Sequence, residues 1–194
     1  MVTTRNAALF LPVVLAGCLA GCDQAKDTSA GREDGPRASG APLSSVVGSD
    51  FEVTTPEGWG DAPLLGRMKW HAAANGGTTN PDCFVIVTED WSFEETSIDD
   101  YIRIQTEGHF VEVASVLMSD VVVIVREENF ELGGQRAIHI VYSSTVDGIR
   151  QASFSTQTIH SGKLYTFGCN DMVDNFPLVY ADLLKLQDSF QFVD

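Results

Sequence analysis

Hydrophobic and polar positions change their spacing several times along the chain, and each change marks an expected element. Residues 7–16 form a short apolar run, residues 23–45 contain a single large aliphatic side chain, Leu43, and regular patterning begins only after residue 46. Phe51 and Val53 alternate with polar neighbours ahead of Pro56-Glu57-Gly58-Trp59, which predicts a first strand ended by a turn. A second strand is expected over Leu65 to His71. A mobile loop follows from Ala72 to Asp82, carrying Asn75-Gly76-Gly77 and Asn80-Pro81, and a strand rich in Phe, Val and Ile resumes from Cys83 to Glu89. Ser97-Ile98-Asp99-Asp100 has the form of a capping box, with Ser97 accepting a backbone N–H and Asp100 reaching back to the cap. Ile98, Tyr101, Ile102 and Gln105 then recur at helical spacing, so a helix is expected to about His109, and on through Leu117 if Gly108 does not stop it.

The second half reads as β structure. Val121 to Val125 are β-branched throughout and open a strand that runs to Leu132. Gly133-Gly134 breaks it. Strands then follow over Gln135 to Ser144, Ile149 to His160 and Leu164 to Asn170, joined at Asp147-Gly148 and Ser161-Gly162. If both turns have two residues, Val141, Phe154 and Cys169 lie side by side on one face, near Ala137, Ala152 and Phe167, and His139 opposes Thr156. Phe176, Val179, Tyr180, Leu183 and Leu186 predict a last helix over Pro177 to Gln187, proline being favoured in a first helical turn. Ser189 to Phe192 ends the chain as a short strand or extended tail.

The N-terminus carries an address. Arg5 precedes the apolar run, and Leu-Ala-Gly-Cys occurs twice in succession, at Leu15–Cys18 and Leu19–Cys22. A transmembrane helix needs about 20 apolar residues, whereas polarity sets in at Asp23, so cleavage is the expected fate. The tetrapeptide resembles the bacterial lipobox, in which the cysteine receives a diacylglycerol and becomes the first mature residue. Cys22 is favoured as the lipidated residue, with Cys18 the alternative, because Cys22 leaves the longer apolar segment behind and is followed directly by polar chain. An ordinary signal peptide is the competing reading. Asp23 resembles an inner-membrane retention mark. The expected organisation is a lipoprotein signal peptide at residues 1–21, the lipidated cysteine and a disordered linker at 22–45, and one globular domain at 46–194. As a flexible tether, the linker would have an r.m.s. span of about 26 Å.

Charge narrows the partners. The chain carries 12 Lys+Arg against 27 Asp+Glu, a formal net charge of −15. That balance opposes nucleic-acid binding, which draws on basic residues that displace phosphate counterions. It also repels anionic headgroups, so the domain should stand off the membrane, held there by its lipid.

Two cysteines remain beyond the signal, Cys83 and Cys169. In an exported chain such a pair suggests a disulfide, which would close an 86-residue loop and contribute about 4.5 kcal/mol in the chain-entropy account. Two separate buried thiols are the alternative. His71, His109, His139 and His160 belong to different elements, with no metal-ligand spacing. The hairpin register puts His160 four residues beyond the partner of His139, roughly 13 Å away. Acidic pairs occur at Glu94-Glu95, Asp99-Asp100 and Glu127-Glu128, with Asp171 and Asp174 nearby in sequence to each other, but no EF-hand loop is present. Ser153 and Ser155 lie in a strand without a Gly-x-Ser-x-Gly elbow, and no phosphate or dinucleotide fingerprint exists. No catalytic residue, metal site or cofactor is therefore assigned.

Phe51 to Trp59 (strand, then Pro-Glu-Gly-Trp), Leu132 to Ala137 (Leu-Gly-Gly before a strand headed by Ala) and Asp188 to Phe192 after an amphipathic helix resemble the PsbP-like superfamily. The resemblance spans residues 46–194 and is mainly structural. It implies an α+β fold, a mostly antiparallel sheet flanked by helices on both faces as an α/β/α sandwich. It also implies a binding or assembly role, since superfamily members act chiefly in that way. The expected function is a non-catalytic, lipid-anchored envelope domain, in the periplasm or extracytoplasmic space, with an envelope protein as partner. The alternative is a small-ligand or cation-binding lipoprotein using the acidic surface and the 72–82 loop.

Overall fold

Three two-residue hairpins set the architecture. Gly133-Gly134, Asp147-Gly148 and Ser161-Gly162 each place both residues at positive φ, from 48° to 79°, the turn whose twist matches that of paired strands. They join β5 (Ser119–Leu132), β6 (Gln135–Val146), β7 (Ile149–His160) and β8 (Lys163–Met172) into an antiparallel meander. The computed structural model describes residues 50–74 and 81–193, apart from the side chain of Trp91. The expectations for the signal peptide, Cys18, Cys22, Asp23 and the linker lie outside the described residues.

β8 pairs on its other side with β4 (Asp82–Glu89), which pairs with β3 (Met68–Ala73) and then β2 (Trp59–Asp61). The sheet order is β2-β3-β4-β8-β7-β6-β5, antiparallel throughout. A separate two-stranded ribbon joins β1 (Phe51–Glu52) to β9 (Gln191–Phe192). Three short helices, α1 (Trp91–Glu94), α2 (Ile98–Ile104) and α3 (Glu107–Ala114), lie between β4 and β5, and α4 (Phe176–Asp188) follows β8. The class is α+β with a mostly antiparallel sheet, as the resemblance implied.

Period-two alternation divides the core. Cys83, Val85, Val141, Phe154, Phe167 and Cys169 pack with Phe176, Leu183 and Leu186 of α4. The alternate strand residues Ile138, Ile140, Tyr142 and Leu164 pack with Phe93, Tyr101, Ile102 and Phe110 of α1 to α3. Successive strand residues point to opposite faces, so α4 and the earlier helices cover different faces. The expected register holds: Val141 opposes Phe154, Phe154 opposes Cys169, and His139 opposes Thr156. Cys83 opposes Cys169 across the β4–β8 ladder, with Cα atoms 4.1 Å apart, and the two form a disulfide.

Several boundaries differ from the sequence reading. β3 starts at Met68 and continues through Ala73, while β4 takes in Asp82, because Ala72 and Ala73 pair with Cys83 and Asp82. The expected 72–82 loop is therefore shorter, and residues 75–80 lie outside the described residues. The helix expected from Ser97 stops at Ile104 and restarts at Glu107. The break falls at Thr106, whose extended backbone and hydroxyl, accepting from the His109 N–H, cap α3; Gly108 sits inside that helix. The capping box is also modified: Ser97 Oγ accepts from the Asp100 N–H, and its hydroxyl donates to Asp100 Oδ2 at 2.8 Å. Trp59 opens a short edge strand instead of only closing a turn.

Gly168 opposes Phe84, and a Cβ at 168 would lie 2.6 Å from Phe84 Cζ. Gly168→Ala is expected to lower stability by about 1–3 kcal/mol through overpacking. Phe84→Leu combined with Gly168→Ala should recover part of that loss in chemical denaturation; strictly additive losses would contradict the contact.

Candidate functional site

The residues singled out for chemistry are dispersed. His71 sits in β3, His109 in α3, His139 in β6 and His160 at the end of β7, where its ring stacks on Phe192 at 4.0 Å. Among the described residues, no three His, Cys, Asp or Glu side chains are grouped to hold a metal ion. Glu127 opposes His139, whereas Glu128 pairs with Arg126, whose Nη2 donates to the Ile102 carbonyl. The two glutamates thus serve different surroundings. Ser155 accepts from Gln157 Nε2, on the face opposite His139, so no serine–histidine pair forms there. Asp171 is buried and accepts from the Met172 N–H, and burial, only partly offset by that bond, holds its carboxyl above the usual carboxylate range.

His71 is an ion-pair residue. Its Nδ1–H donates to the Pro63 carbonyl at 2.7 Å and its Nε2 meets Asp82 Oδ2 at 2.9 Å. Burial alone would push its pKa down, but Asp82 and the Pro63 carbonyl outweigh it and raise it. The pair clasps the chain before β3 to the start of β4.

His139 belongs to a buried polar chain beneath α4. The Thr156 hydroxyl donates to Gln187 Oε1, so its oxygen accepts from His139 Nδ1–H at 2.7 Å; His139 Nε2 then accepts from the Tyr180 hydroxyl at 2.9 Å. The ring stacks on Phe130 at 4.3 Å. Burial pushes its pKa down to about 4. This arrangement fixes the height of α4 over the sheet and contains no free base for catalysis. Two polar clusters lie elsewhere, the first with a buried acceptor, Gln105 Oε1, that has no partner. A cavity of about 20 Å³ beside Gln105 and Gln157 has room for one water-sized group, and in the open cleft between α2 and β5 Arg103, Arg126 and Arg136 each pair with an acid.

A groove with room for a ligand, about 500 Å³, lies at the β2 side of the sheet, within the range of small-molecule pockets, roughly 300–1,000 Å³. Val179, Leu183 and Leu186 of α4 form one wall, and Pro56, Trp59 and Pro81 form the other. Lys185 and Asp182 pair with each other at the rim, 2.7 Å apart. Ser189 Oγ accepts from the Thr54 N–H and donates to the Leu186 carbonyl. Sequence reasoning missed this groove because its walls come from three separate segments. Its trace in the sequence is limited to Trp59, which opens β2, and to Pro56 and Pro81, which lie outside any regular element.

A second apolar surface lies at the opposite edge. β5 has three register irregularities against β6, and Val122, Ile124 and Val125 stay exposed. Exposed Val116 and Leu117 directly precede this strand.

No protein-family model matches the chain, and no curated protein matches it. Among solved structures, the cyanobacterial PsbP (CyanoP) of Synechocystis sp. PCC 6803 aligns with a TM-score of 0.56 at 19% identity, over 82% of this chain and 98% of that one. The fold is PsbP-like. LpqN of Mycobacterium tuberculosis, involved in cell envelope biogenesis, aligns with a TM-score of 0.54 at 10% identity, over 79% of this chain and 91% of its own. At these identities both neighbours speak to fold alone. In the described part of the chain no helix is long and apolar enough to cross a membrane.

Because His139 is neutral in the fold, its contribution to stability is complete above about pH 6.5 and is lost as pH falls toward 4, by roughly 3 kcal/mol. His139→Gln should flatten that part of the stability–pH curve, measured by urea denaturation at several pH values. An unchanged slope would contradict the neutral, buried assignment.

Proposed function

We propose that this chain is a lipid-anchored, extracytoplasmic binding domain of the bacterial envelope, attached through Cys22, that docks an envelope protein and carries out no catalysis of its own. The exposed apolar half of the edge strand β5 carries the docking part of this reading. An edge strand offers unpaired backbone groups as well as side chains, and Val122, Ile124 and Val125 add apolar area. Glu127, Glu128 and Glu131 follow on the same strand, so the partner that fits is apolar with flanking basic residues. A second copy of this chain, at a net charge of −15, fits poorly. The PsbP-like fold and the envelope role of LpqN agree with this class of function.

The anchor reading rests on the doubled Leu-Ala-Gly-Cys and the polar chain after Cys22, with Asp23 favouring the inner membrane. Cysteines 83 and 169 then remain as the pair suited to an oxidising compartment. The small-ligand alternative shifts from the 72–82 loop to the groove beside α4. Mass spectrometry of the mature N-terminus should find acyl chains on Cys22; acylation of Cys18, or of neither, would overturn the anchor. A photo-crosslinker replacing Ile124 should give one recurrent protein adduct in membranes, absent when it replaces exposed Glu57. Adducts indistinguishable between the two positions would contradict docking on β5.

A further inference from the structure

We infer that the groove beside α4 binds one acyl chain of a zwitterionic or uncharged membrane lipid. The polar groups on its walls decide this chemistry. Pro56 and Pro81 have no N–H to offer, Ser189 is occupied by Thr54 and Leu186, and Lys185 is neutralised by Asp182. Of the remaining polar side chains on the walls, Thr54 offers one hydroxyl and Trp59 one indole N–H, too few to pair the successive backbone N–H and C=O groups of a bound peptide, a costly arrangement. A hydrocarbon chain has no such requirement, and Trp59, Val179, Leu183 and Leu186 supply apolar contact. The charge balance selects the headgroup: an overall −15 repels anionic lipids, and the one lysine at the rim is already paired. The groove is at the β2 edge and the apolar strand β5 is at the other edge of the seven-stranded sheet, so this ligand and the proposed protein partner occupy separate surfaces.

Brominated acyl chains quench tryptophan fluorescence on contact and make the test direct. The full mature chain carrying Cys22→Ser is titrated with bromo-acyl lysophosphatidylcholine below its micelle concentration. Saturable partial quenching is expected, because Trp59 lines the groove while Trp70 is buried against Phe167. Affinity should rise about four-fold per added methylene until the groove is filled, the equivalent of ~0.8 kcal/mol per buried CH₂. Trp59→Phe should remove most of the quenching. Val179→Arg should weaken binding at least ten-fold while the circular dichroism spectrum stays the same. Non-saturable quenching, or quenching that survives Trp59→Phe, would overturn the inference. The lipidated chain in vesicles of brominated phosphatidylcholine should show the same Trp59 quenching, sensitive to Val179→Arg. Its absence there alone would mean that the protein's own anchor fills the groove, which also contradicts the inference. Crosslinking at residue 124 is unaffected by either variant, so failure of the groove and failure of docking on β5 are separable.

Discussion

The ladder between β4 and β8 is the constraint on which the rest depends. β2 and β3 reach the sheet only through β4, and β4 reaches the meander only through β8, over paired residues from Asp82–Asn170 to Glu89–Lys163. Sequence distance makes this ladder entropically expensive, since closing a loop of this length costs several kcal/mol before any contact is gained. Three things offset the cost. The Cys83–Cys169 disulfide removes part of the loop entropy from the unfolded chain. Phe84 packs over the bare backbone of Gly168, and Val85 and Phe167 pair on the α4 face. With β4 in place, Trp59 and Pro81 reach α4 and form one wall of the groove. The site therefore depends on the longest-range pairing in the main sheet.

The two faces of that sheet do different things. Beneath α1 to α3 the core is aliphatic and aromatic with short polar links, Tyr101 donating to Gln157 and Gln105 to Tyr101. Beneath α4 the Tyr180–His139–Thr156–Gln187 chain sets the position of the helix. A helix held by directed hydrogen bonds at its middle and end can keep a groove open along one flank, where close packing alone would draw the walls together. The aromatic cluster of Phe51, Tyr165, Phe190 and Phe192 then ties the β1–β9 ribbon to the end of the same helix.

What could be read from the sequence followed the range of the interactions. The meander was legible because two-residue turns fix register, so Val141, Phe154 and Cys169 could be placed side by side without any structure. The ends of β3, the division between α2 and α3, and the short strand β2 were not. A two- or three-residue strand has no measurable period, and the α2–α3 break depends on Thr106 capping a new helix while Arg126, 20 residues away, takes the Gln105 carbonyl at 2.8 Å. The groove was illegible for the same reason. Thr54, Pro81 and Leu186 share no local pattern, and they meet only because β4 is paired to β8.

Native-state hydrogen exchange on the Cys83→Ala/Cys169→Ala variant tests this dependence most directly. If the β4–β8 ladder joins an autonomous meander to a dependent N-terminal half, protection in β3 and β4 should fall by about 4.5 kcal/mol. Protection in β6 and β7 should fall by clearly less. Equal loss of protection in all four strands would contradict the account.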